Sequence, residues 1–291
     1  MSAAPLDFDD TDDDPLEAIG TEVVAPAIEP GDEVRERFAA SGADEALGRL
    51  AALAVWWAEV RGDARAGAPA RVVALGAGDD APLPPTVTRR ALDPAPDGVP
   101  TAVDAAVARG TALADELADA GTDLVLLPLE LGIAGRALTG YLMGLDPVET
   151  NGWQTTDLDD ERWMDEVALV RDTQWALRGL RGRPIAMVRV LADPRLAAAT
   201  AFLLRSAVRR TPVVLDGPGA VTTALLAARC SRLASRWWLP AEVGDAPLHE
   251  RSLGSLNLTA VTRLGLRVED GTASAGALGL LGIAATLLAR D

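Results

Sequence analysis

The stretch Arg209–Arg229, R-R-T-P-V-V-L-D-G-P-G-A-V-T-T-A-L-L-A-A-R, decides the fold. Its apolar, β-branched run Thr211–Leu215 predicts a strand that is buried on both faces. Residues 216–219, D-G-P-G, form a turn with two glycines that can take positive φ, and Ala220–Arg229 predicts a helix. Strand, glycine turn and helix make the unit of a parallel α/β sheet, which binds ligands at the carboxyl ends of its strands. The same pattern also fits a core unit without a ligand.

The remaining sequence alternates between short apolar runs and longer helical patterns. The further strand candidates are Arg71–Leu75, Thr122–Leu129 and Trp237–Leu239. Helices are predicted at Leu47–Val60, Ala102–Ala120, Arg136–Leu145, Glu161–Leu180, Pro194–Val208, Leu248–Leu256 and Ala273–Ala289, whereas Ala81–Val99 is Pro-rich and predicted to be irregular. This alternation predicts a three-layer α/β fold, with a mostly parallel sheet covered by helices on both faces. The N- and C-terminal parts add a small helical portion.

Charge is distributed unevenly along the 291 residues. The net charge is −16, and residues 1–34 contain eleven acids and no base, so the remainder carries only about −5. A Pro-, Asp- and Glu-rich segment has little apolar surface to bury, which predicts a disordered acidic arm over residues 1–34. With nearly half of all residues apolar, residues 35–291 are long enough to form one large domain.

Composition also excludes several classes of chemistry and of partner. All 27 basic residues are Arg, so Schiff-base chemistry on lysine is excluded. One Cys (Cys230) and one His (His249) predict no metal site and no disulfide within the chain, and they fit a cytoplasmic location. An acidic chain argues against nucleic acid and membrane as partners. The N-terminus lacks the pattern of a signal peptide, and Ala273–Ala289 is interpreted as a buried helix.

Acidic residues follow three of the predicted strands or turns: Glu130, Asp216 and the pair Glu269–Asp270. Strand ends of a parallel sheet converge on one crevice, where a partly desolvated carboxylate can act as a general base. Each acid also has a purely structural interpretation. Glu130 fits a turn, Asp216 fits a cap of the helix that follows it, and Asp270 fits the N-cap of the last helix. The G-P-G turn after Asp216 can receive a phosphate on backbone N–H groups, although it matches neither a P-loop nor G-x-G-x-x-G.

Three segments carry a resemblance to a known family. They are A-V-R-R-T-P-V-V-L-D-G-P-G-A-V-T-T-A-L-L-A with R-W-W about ten residues later, L-R-V-E-D-G-T-A-S-A before the last helix, and A-D-A-G-T-D-L-V-L-L-P-L-E-L-G-I. Together they resemble the nicotinate-nucleotide–dimethylbenzimidazole phosphoribosyltransferase (CobT) family. Its members have a similar T-P-hydrophobic-L-D-G turn, an R-L-G-E-G-[ST]-G-A motif and a G-[ED]-M-G-I-G-N-T-T motif. The resemblance covers roughly residues 43–290, and it identifies the chain as a divergent and shortened member.

The resemblance implies a specific reaction and a specific site. The family transfers phosphoribose from nicotinate mononucleotide to a nitrogen of dimethylbenzimidazole, in the assembly of the lower ligand of cobalamin. A glutamate of R-L-G-E-G deprotonates the base; its position here is Asp270, and the neighbouring Glu269 is a possible stand-in, so both are catalytic candidates. No cofactor and no metal are implied, and the partners are a nucleotide and an aromatic base. The substrate-binding candidates are Glu130, Gly132, Ile133, Arg136, Asp216, Gly217, Gly271 and Thr272.

The chain departs from the family pattern at several positions that bind phosphate. The family's G-N-T-T is replaced by residues 134–137, A-G-R-A, in which Arg136 is a possible substitute as a phosphate partner. Where the family often has R-K, Asp165 and Glu166 stand here, and acids repel a phosphate. The family's H-R-S-x-E-P-G-H run aligns with Glu242–His249, of which only Pro247 and His249 match. The base-binding stretch after the first strand is shortened to about two dozen residues.

Two functional hypotheses follow. The first is an active phosphoribosyltransferase that uses dimethylbenzimidazole or a similar base, supported by the matching acids and glycines. The second is a non-catalytic relative that binds a nucleotide or a partner protein, supported by the departures at the phosphate-binding positions. Members of the family are usually homodimers, and the Trp-rich helices of this chain are candidates for such an interface.

Overall fold

The core of the molecule is a single parallel sheet. A computed structural model describes residues 14–92, 102–130, 132–152, 159–244 and 248–289. The strands found there are β1 Val72–Leu75, β2 Thr88–Arg90, β3 Leu124–Pro128, β4 Val213–Asp216 and β5 Trp238–Pro240. Within these residues they form a five-stranded sheet in the order β2-β1-β3-β4-β5, and every neighbouring pair is parallel. The register aligns Val73 with Val125, Val125 with Val213, and Val213 with Trp238.

Helices cover both faces of the sheet. Their bounds are α1 Pro15–Thr21, α2 Glu29–Ser41, α3 Ala43–Leu47, α4 Arg49–Arg61, α5 Val103–Asp119, α6 Ile133–Met143, α7 Pro147–Asn151, α8 Asp160–Ala176, α9 Pro184–Leu191, α10 Pro194–Val208, α11 Gly217–Cys230, α12 His249–Ser255 and α13 Thr272–Leu288, with a 3₁₀ turn at Arg232–Trp237. Helix α10 packs between α5 and α11, and α13 packs on α4 and contacts β3 and β4. The predicted three-layer α/β class is therefore confirmed, and the stretch Arg209–Arg229 contains a strand and a helix as predicted, namely β4 and the start of α11.

Burial explains why four strands could be predicted from the sequence and the edge strand β2 could not. Strands β1, β3, β4 and β5 are buried at every residue, as expected for a sheet with two covered faces. Strand β2 lies at the edge, and all three of its residues, Thr88 to Arg90, are exposed. It therefore shows no apolar run, and the prediction that Ala81–Val99 is irregular is wrong at this strand.

The predicted disorder of residues 1–34 is wrong from Asp14 onward. The Asp14 carboxylate accepts a hydrogen bond from the N–H of Leu16 and caps α1, and the Leu16 side chain is completely buried. Helix α2 begins at Glu29, and its Val34 is completely buried as well. A few well-placed apolar residues thus anchor an acidic segment to the fold. Residues 1–13 lie outside the described residues, and the rest of the domain division stays a prediction.

Helix α13 matches the long apolar stretch near the end of the sequence. Its side chains at Ala277, Leu281, Ala284 and Leu288 are completely buried, and their helical spacing places them on one face. That face packs on α4 and the sheet, so the stretch is a buried helix, as predicted. Among the described residues, no helix combines the length and the apolar character that crossing a bilayer requires.

Candidate active site

Three segments that are distant in sequence meet at the carboxyl ends of the strands. The N–H of Gly78, just after β1, donates to the carbonyl of Asp270 over 2.9 Å. The N–H of Leu129, just after β3, donates to the carbonyl of Asp216 over 3.2 Å. The N–H of Ser274 in α13 donates to Oδ2 of Asp216 over 2.8 Å. The start of α13 is therefore tied to the ends of β1 and β4, as expected for strand ends that converge on one crevice.

Asp216 is the most deeply buried acid of this crevice. Its side chain is completely buried; Oδ2 accepts the Ser274 bond, and Oδ1 has no hydrogen-bond partner among the described residues. Burial raises the pKa of Asp216, and the charges of Asp270 and Glu242 raise it further. The side chain does not cap α11, so the interpretation of Asp216 as a helix cap is wrong. It joins β4 to α13 instead.

Glu269 combines burial with an unpartnered oxygen. Its Oε2 is buried and has no hydrogen-bond partner in the described part of the chain. Burial raises the pKa of Glu269 to about 7, with further contributions from the charges of Glu130 and Asp216. A carboxyl group that titrates near neutral pH is matched to proton transfer at that pH. This position is a strong candidate for a general base.

Asp270, the adjacent acid, has a different environment. Its Oδ1 accepts a hydrogen bond from the N–H of Thr272 over 2.9 Å, at the first turn of α13. The side-chain hydrogen bond to Thr272 holds the pKa of Asp270 below its usual range. The N-cap of α13 is Gly271, so the interpretation of Asp270 as the N-cap is wrong by one residue, and its bond to Thr272 is a local turn just before the helix. The two neighbouring acids therefore differ in protonation: Asp270 is an anion at neutral pH, whereas Glu269 titrates near that pH.

Two glycines allow the close packing of this segment. Gly217 has a φ of +86°, and a Cβ there would lie 2.8 Å from Cγ of Glu269. Gly271 has a φ of +107°, and a Cβ there would lie 3.3 Å from Cβ of Ala77 and 3.4 Å from Cβ of Ala81. Both positions have a backbone conformation that favours glycine; in addition, a Cβ on Gly217 would clash with Glu269, whereas one on Gly271 would make only tight contacts. The two candidate glycines are therefore required by the local geometry.

The candidates after β3 surround the beginning of α6. Glu130 is exposed, and its charge acts on Glu269, so the structure brings the two acids near each other. Gly132 is the N-cap of α6 and Ile133 is its first residue; no side chain in the described part of the chain caps this end. The N–H groups of the first turn are thus left for another acceptor, and a helix N-terminus favours an anion.

Arg136 extends from the first turn of α6 toward α7 and α8. Its Nη1 donates to Oδ1 of Asn151 over 2.6 Å and to Oε2 of Glu166 over 3.2 Å. Arg162 lies 3.8 Å from the other oxygen of Glu166. Glu166, which by its charge alone would repel a phosphate, is thus held between two guanidinium groups. Arg136, which we expected to contact a phosphate, is therefore positioned by Glu166, and the negative charge of Glu166 offsets the positive charge of the guanidinium group.

Sequence reasoning missed one buried acid near the crevice. Glu242 follows β5, is almost completely buried, and its Oε1 accepts from the N–H of Gly265 over 2.8 Å. It also accepts from the hydroxyl of Thr262, and its charge contributes to the raised pKa of Asp216. The signal that could have found it is position: an acid two residues after a buried strand is a strand-end acid like Asp216.

His249 begins α12 and is buried close to the same segment. Its Nδ1 accepts from the N–H of Gly244 over 3.2 Å, and its Nε2 has no partner among the described residues. Burial lowers the pKa of His249 to about 4, so the imidazole is neutral at physiological pH. Pro247, the other residue that matches the family run, lies outside the described residues. Groups of three or more potential metal ligands are absent from the described part of the chain.

The fold defines a parallel α/β protein, and its acidic crevice at the carboxyl ends of the strands is the candidate ligand site. A family model described as Phosphoribosyltransferase matches residues 99–290. The chain belongs to this phosphoribosyltransferase family, as the resemblance of its motifs predicts. The shared segment contains β3, β4, β5 and α13, and therefore all of the candidate site residues.

Several relatives carry the name nicotinate-nucleotide–dimethylbenzimidazole phosphoribosyltransferase. The protein from Corynebacterium glutamicum is 38% identical over 190 residues, which cover 64% of this chain and 52% of that protein. The one from Mycobacterium tuberculosis is 36% identical over 188 residues, with 63% and 52% covered, and the one from Streptomyces avermitilis is 33% identical over 234 residues, with 72% and 62% covered. The chain thus spans about half the length of the curated relatives that it matches first.

A solved structure supports the same fold. CobT from Thermus thermophilus superposes with a TM-score of 0.74 and 20% sequence identity, and the match covers 89% of this chain and 96% of that one. A second structure, the nicotinate-nucleotide–dimethylbenzimidazole phosphoribosyltransferase of the same organism, gives a TM-score of 0.65 at 20% identity. At this level of identity the likeness establishes the fold.

Proposed function

We propose that the protein is a pentosyltransferase that moves phosphoribose from nicotinate mononucleotide to a nitrogen of dimethylbenzimidazole or a similar base. The observation that carries this proposal is the Glu269 carboxyl, with its unpartnered buried oxygen and a pKa of about 7, beside Asp216 at the strand ends. The family match and the names of the relatives support the choice of reaction.

In the proposed reaction, Glu269 accepts the proton from the N–H of the aromatic base. The freed electron pair of that nitrogen forms a bond to the anomeric carbon of the ribose, with inversion. The bond between this carbon and the nicotinate nitrogen breaks, and its electron pair leaves with nicotinate. The products are α-ribazole 5′-phosphate and nicotinate. Deprotonation matters because a neutral N–H nitrogen has no free pair in the plane of attack.

The raised pKa of Glu269 supports its role as the proton acceptor. A carboxylate with a pKa near 7 holds a proton more strongly than an ordinary glutamate, and about half of the molecules are ionised at neutral pH. It can therefore take a proton from the base and release it again within one turnover. Asp270 is proposed to fix the start of α13, and through it the position of Glu269. The phosphate is proposed to bind at the N-terminus of α6 with Arg136.

The test is direct detection of product. Purified protein is incubated with nicotinate mononucleotide and dimethylbenzimidazole, and α-ribazole phosphate is sought by chromatography and mass. Thermal unfolding with nicotinate mononucleotide alone measures binding separately. A ligand at about 100 times its Kd is expected to add roughly 2.7 kcal/mol to the free energy of unfolding. No product at high protein concentration, together with no shift in Tm, would contradict the catalytic proposal and favour a non-catalytic relative.

A homodimer is proposed for the assembly. Helix α8 exposes large apolar side chains, with Met164 61%, Leu169 52% and Trp175 63% accessible in the single chain. Exposed apolar side chains on one helix are typical of a surface that another chain covers. Light scattering after size exclusion measures the mass, and Trp175→Glu is expected to give a monomer if α8 forms the interface.

A cytoplasmic location is proposed from the unpaired Cys230.

A further inference from the structure

A second cavity lies at the opposite end of the sheet from the candidate active site. Helices α6 and α11 both begin at strand carboxyl ends and run to the other end, where their last residues line an open cleft of about 770 Å³. The polar part of its lining comes from Arg229, Arg232, Ser235, Ser255 and Asn257, and Met143 is among its apolar residues. Residues of α6, α11, α12 and the 3₁₀ turn thus enclose a space large enough for a small metabolite.

The cleft contains positive charge that no carboxylate of its lining compensates. Arg229, in the lining, donates from Nη2 to the carbonyl of Leu142 over 2.9 Å. Arg181 lies outside the lining, close enough for its charge to act on Arg229, and donates from Nη2 to the carbonyl of Tyr141 over 2.6 Å. These contacts orient the two guanidinium groups and leave their charges unneutralised. Burial lowers the pKa of Arg229, and the charges of Arg181 and Arg232 lower it further. Arg232 has no ion pair with any residue in the described part of the chain.

This arrangement is unusual for a chain with a net charge of −16. Other arginines are paired with acids; Arg205 and Arg209, for example, both contact Oδ1 of Asp115 over 2.8 Å. The charges of Asp14, the N-cap of α1, and of Glu17 act on Cys230, at the edge of the cleft. The Asp14 carboxylate accepts hydrogen bonds from the N–H groups of Leu16 and Ile185, and in the described part of the chain neither acid forms an ion pair with Arg229 or Arg232. Arg229, Arg232 and the neighbouring Arg181 form no ion pair in the described part of the chain. A bound anion would neutralise their positive charge.

We propose that this cleft is a second binding site, for a small molecule that carries a phosphate group. Two guanidinium groups, Arg229 and Arg232, supply the forked donors that bind phosphate oxygens, and the amide of Asn257 adds neutral donors. The hydroxyls of Ser235 and Ser255 donate to backbone carbonyls, so their oxygens remain as acceptors for a hydroxyl of the ligand. This inference does not rest on the proposed reaction, since it concerns residues at the far ends of α6 and α11.

Calorimetric titration tests the proposal with inorganic phosphate and with glycerol 3-phosphate, each at about 0.15 M NaCl to screen nonspecific attraction. We expect saturable binding that weakens at least tenfold in Arg232→Glu and in Arg229→Ala. Arg232→Glu is the main variant because its guanidinium makes no hydrogen bond within the described residues, and circular dichroism verifies its fold. Arg109→Glu, an exposed arginine on α5, is the matched charge-reversal control and is expected to bind as the wild type does.

The two ligands separate the sources of the phosphate group. Tighter binding of glycerol 3-phosphate would assign the site to a phosphate ester, and tighter binding of inorganic phosphate would assign it to the free ion; both support the site. Arg136→Ala distinguishes the cleft from the candidate active site, because it is expected to leave this binding unchanged. Absence of saturable binding, equal losses in Arg232→Glu and Arg109→Glu, or loss in Arg136→Ala in place of Arg232→Glu would each overturn the proposal.

Discussion

Gly217 and Glu269 lie so close together that any side chain on Gly217 would displace the side chain of Glu269. A Cβ built on Gly217 falls 2.8 Å from Cγ and 3.2 Å from Cβ and Cδ of Glu269. The first residue of α11 thus fixes the position of the acid that precedes α13. Because β4 leads directly into Gly217, the sheet, the helix and the candidate base form one rigid arrangement, and pre-positioned groups of this kind are what catalysis requires.

Gly217→Ala is expected to lower activity by at least tenfold. The new methyl group pushes Glu269 away from its position, and a misplaced base loses rate steeply. The φ of +86° adds a cost of about 1–2 kcal/mol to the free energy of unfolding. Steady-state kinetics and denaturant unfolding measure the two effects. Gly276→Ala in α13 is the control: no atom lies within 4 Å of the added Cβ, so activity is retained and stability is unchanged or gains up to about 1 kcal/mol. Unchanged activity in Gly217→Ala would contradict the role assigned to Glu269.

Glu269→Gln and Asp270→Asn separate the two neighbouring acids. Glu269→Gln removes the proton acceptor and is expected to lower kcat by about 10²–10⁴-fold. Asp270→Asn keeps an oxygen for the Thr272 N–H, and Asn forms this local turn as Asp does, so activity should stay within about threefold of the wild type. The pH dependence of kcat/KM provides a further readout, since wild-type activity should fall as the pH drops below about 7. The reverse order of the two effects would assign the base to Asp270.

The stability of the fold is expected to decrease as Glu269 ionises. Its pKa is raised by folding from 4.5 to about 7, so the folded state binds this proton more strongly than the unfolded state does. The resulting stabilisation is complete below about pH 4.5 and is lost as the pH rises toward about 7. After allowance for solvent screening of a partly buried group, its size is about 1–2 kcal/mol. Denaturant unfolding at several pH values measures the difference between wild type and Glu269→Gln, and equal pH profiles for the two proteins would contradict the raised pKa.

The parallel sheet could be predicted because its inner strands are continuous apolar runs. The run Thr211–Leu215 corresponds to β4, and Arg71–Leu75 corresponds to β1, each within two residues at either end. The edge strand Thr88–Arg90 could not be found, since its side chains face solvent and show no apolar pattern. Helix α1 was missed for a related reason. The acidic composition of this segment predicts disorder, because composition does not show that the single side chain of Leu16 is buried in the core.

The candidate site could be predicted as a set of strand-end acids, but their individual roles could not. Motif alignment favours Asp270 as the base, with Glu269 beside it. Only the three-dimensional contacts show that Asp270 bonds to Thr272, while the neighbouring acid is buried against Gly217. Two adjacent residues on an irregular segment point in different directions, and no periodicity specifies which one enters a crevice. Glu242 was missed because its burial depends on a distant segment, residues 262–265, folding over it.

The ion pair between Arg136 and Glu166 is expected to limit the affinity for a mononucleotide phosphate. Glu166→Gln removes the acid that shares Arg136, so KM for nicotinate mononucleotide should fall several-fold. Arg136→Ala should raise KM about tenfold, which corresponds to about 1.4 kcal/mol of lost binding. Arg162→Ala is the control, because its guanidinium lies 3.8 Å from Glu166 and is mostly exposed. A higher KM in Glu166→Gln would instead mean that Glu166 positions Arg136 for the phosphate.

Leu16→Ala is expected to destabilise the protein strongly, although it lies in the acidic segment. The side chain is completely buried, and α1 packs on α10 and α11. Removing a buried leucine side chain costs about 2–5 kcal/mol, through lost apolar burial and the cavity left behind. The control is Val24→Ala, since Val24 is 60% exposed and its loss should change stability by less than about 0.5 kcal/mol. Denaturant unfolding with matching m-values measures both variants. If Leu16→Ala were as mild as the control, the packing of α1 would contribute little to the stability of the fold. A large loss of stability would instead show that α1 supports α11, the helix that begins at Gly217.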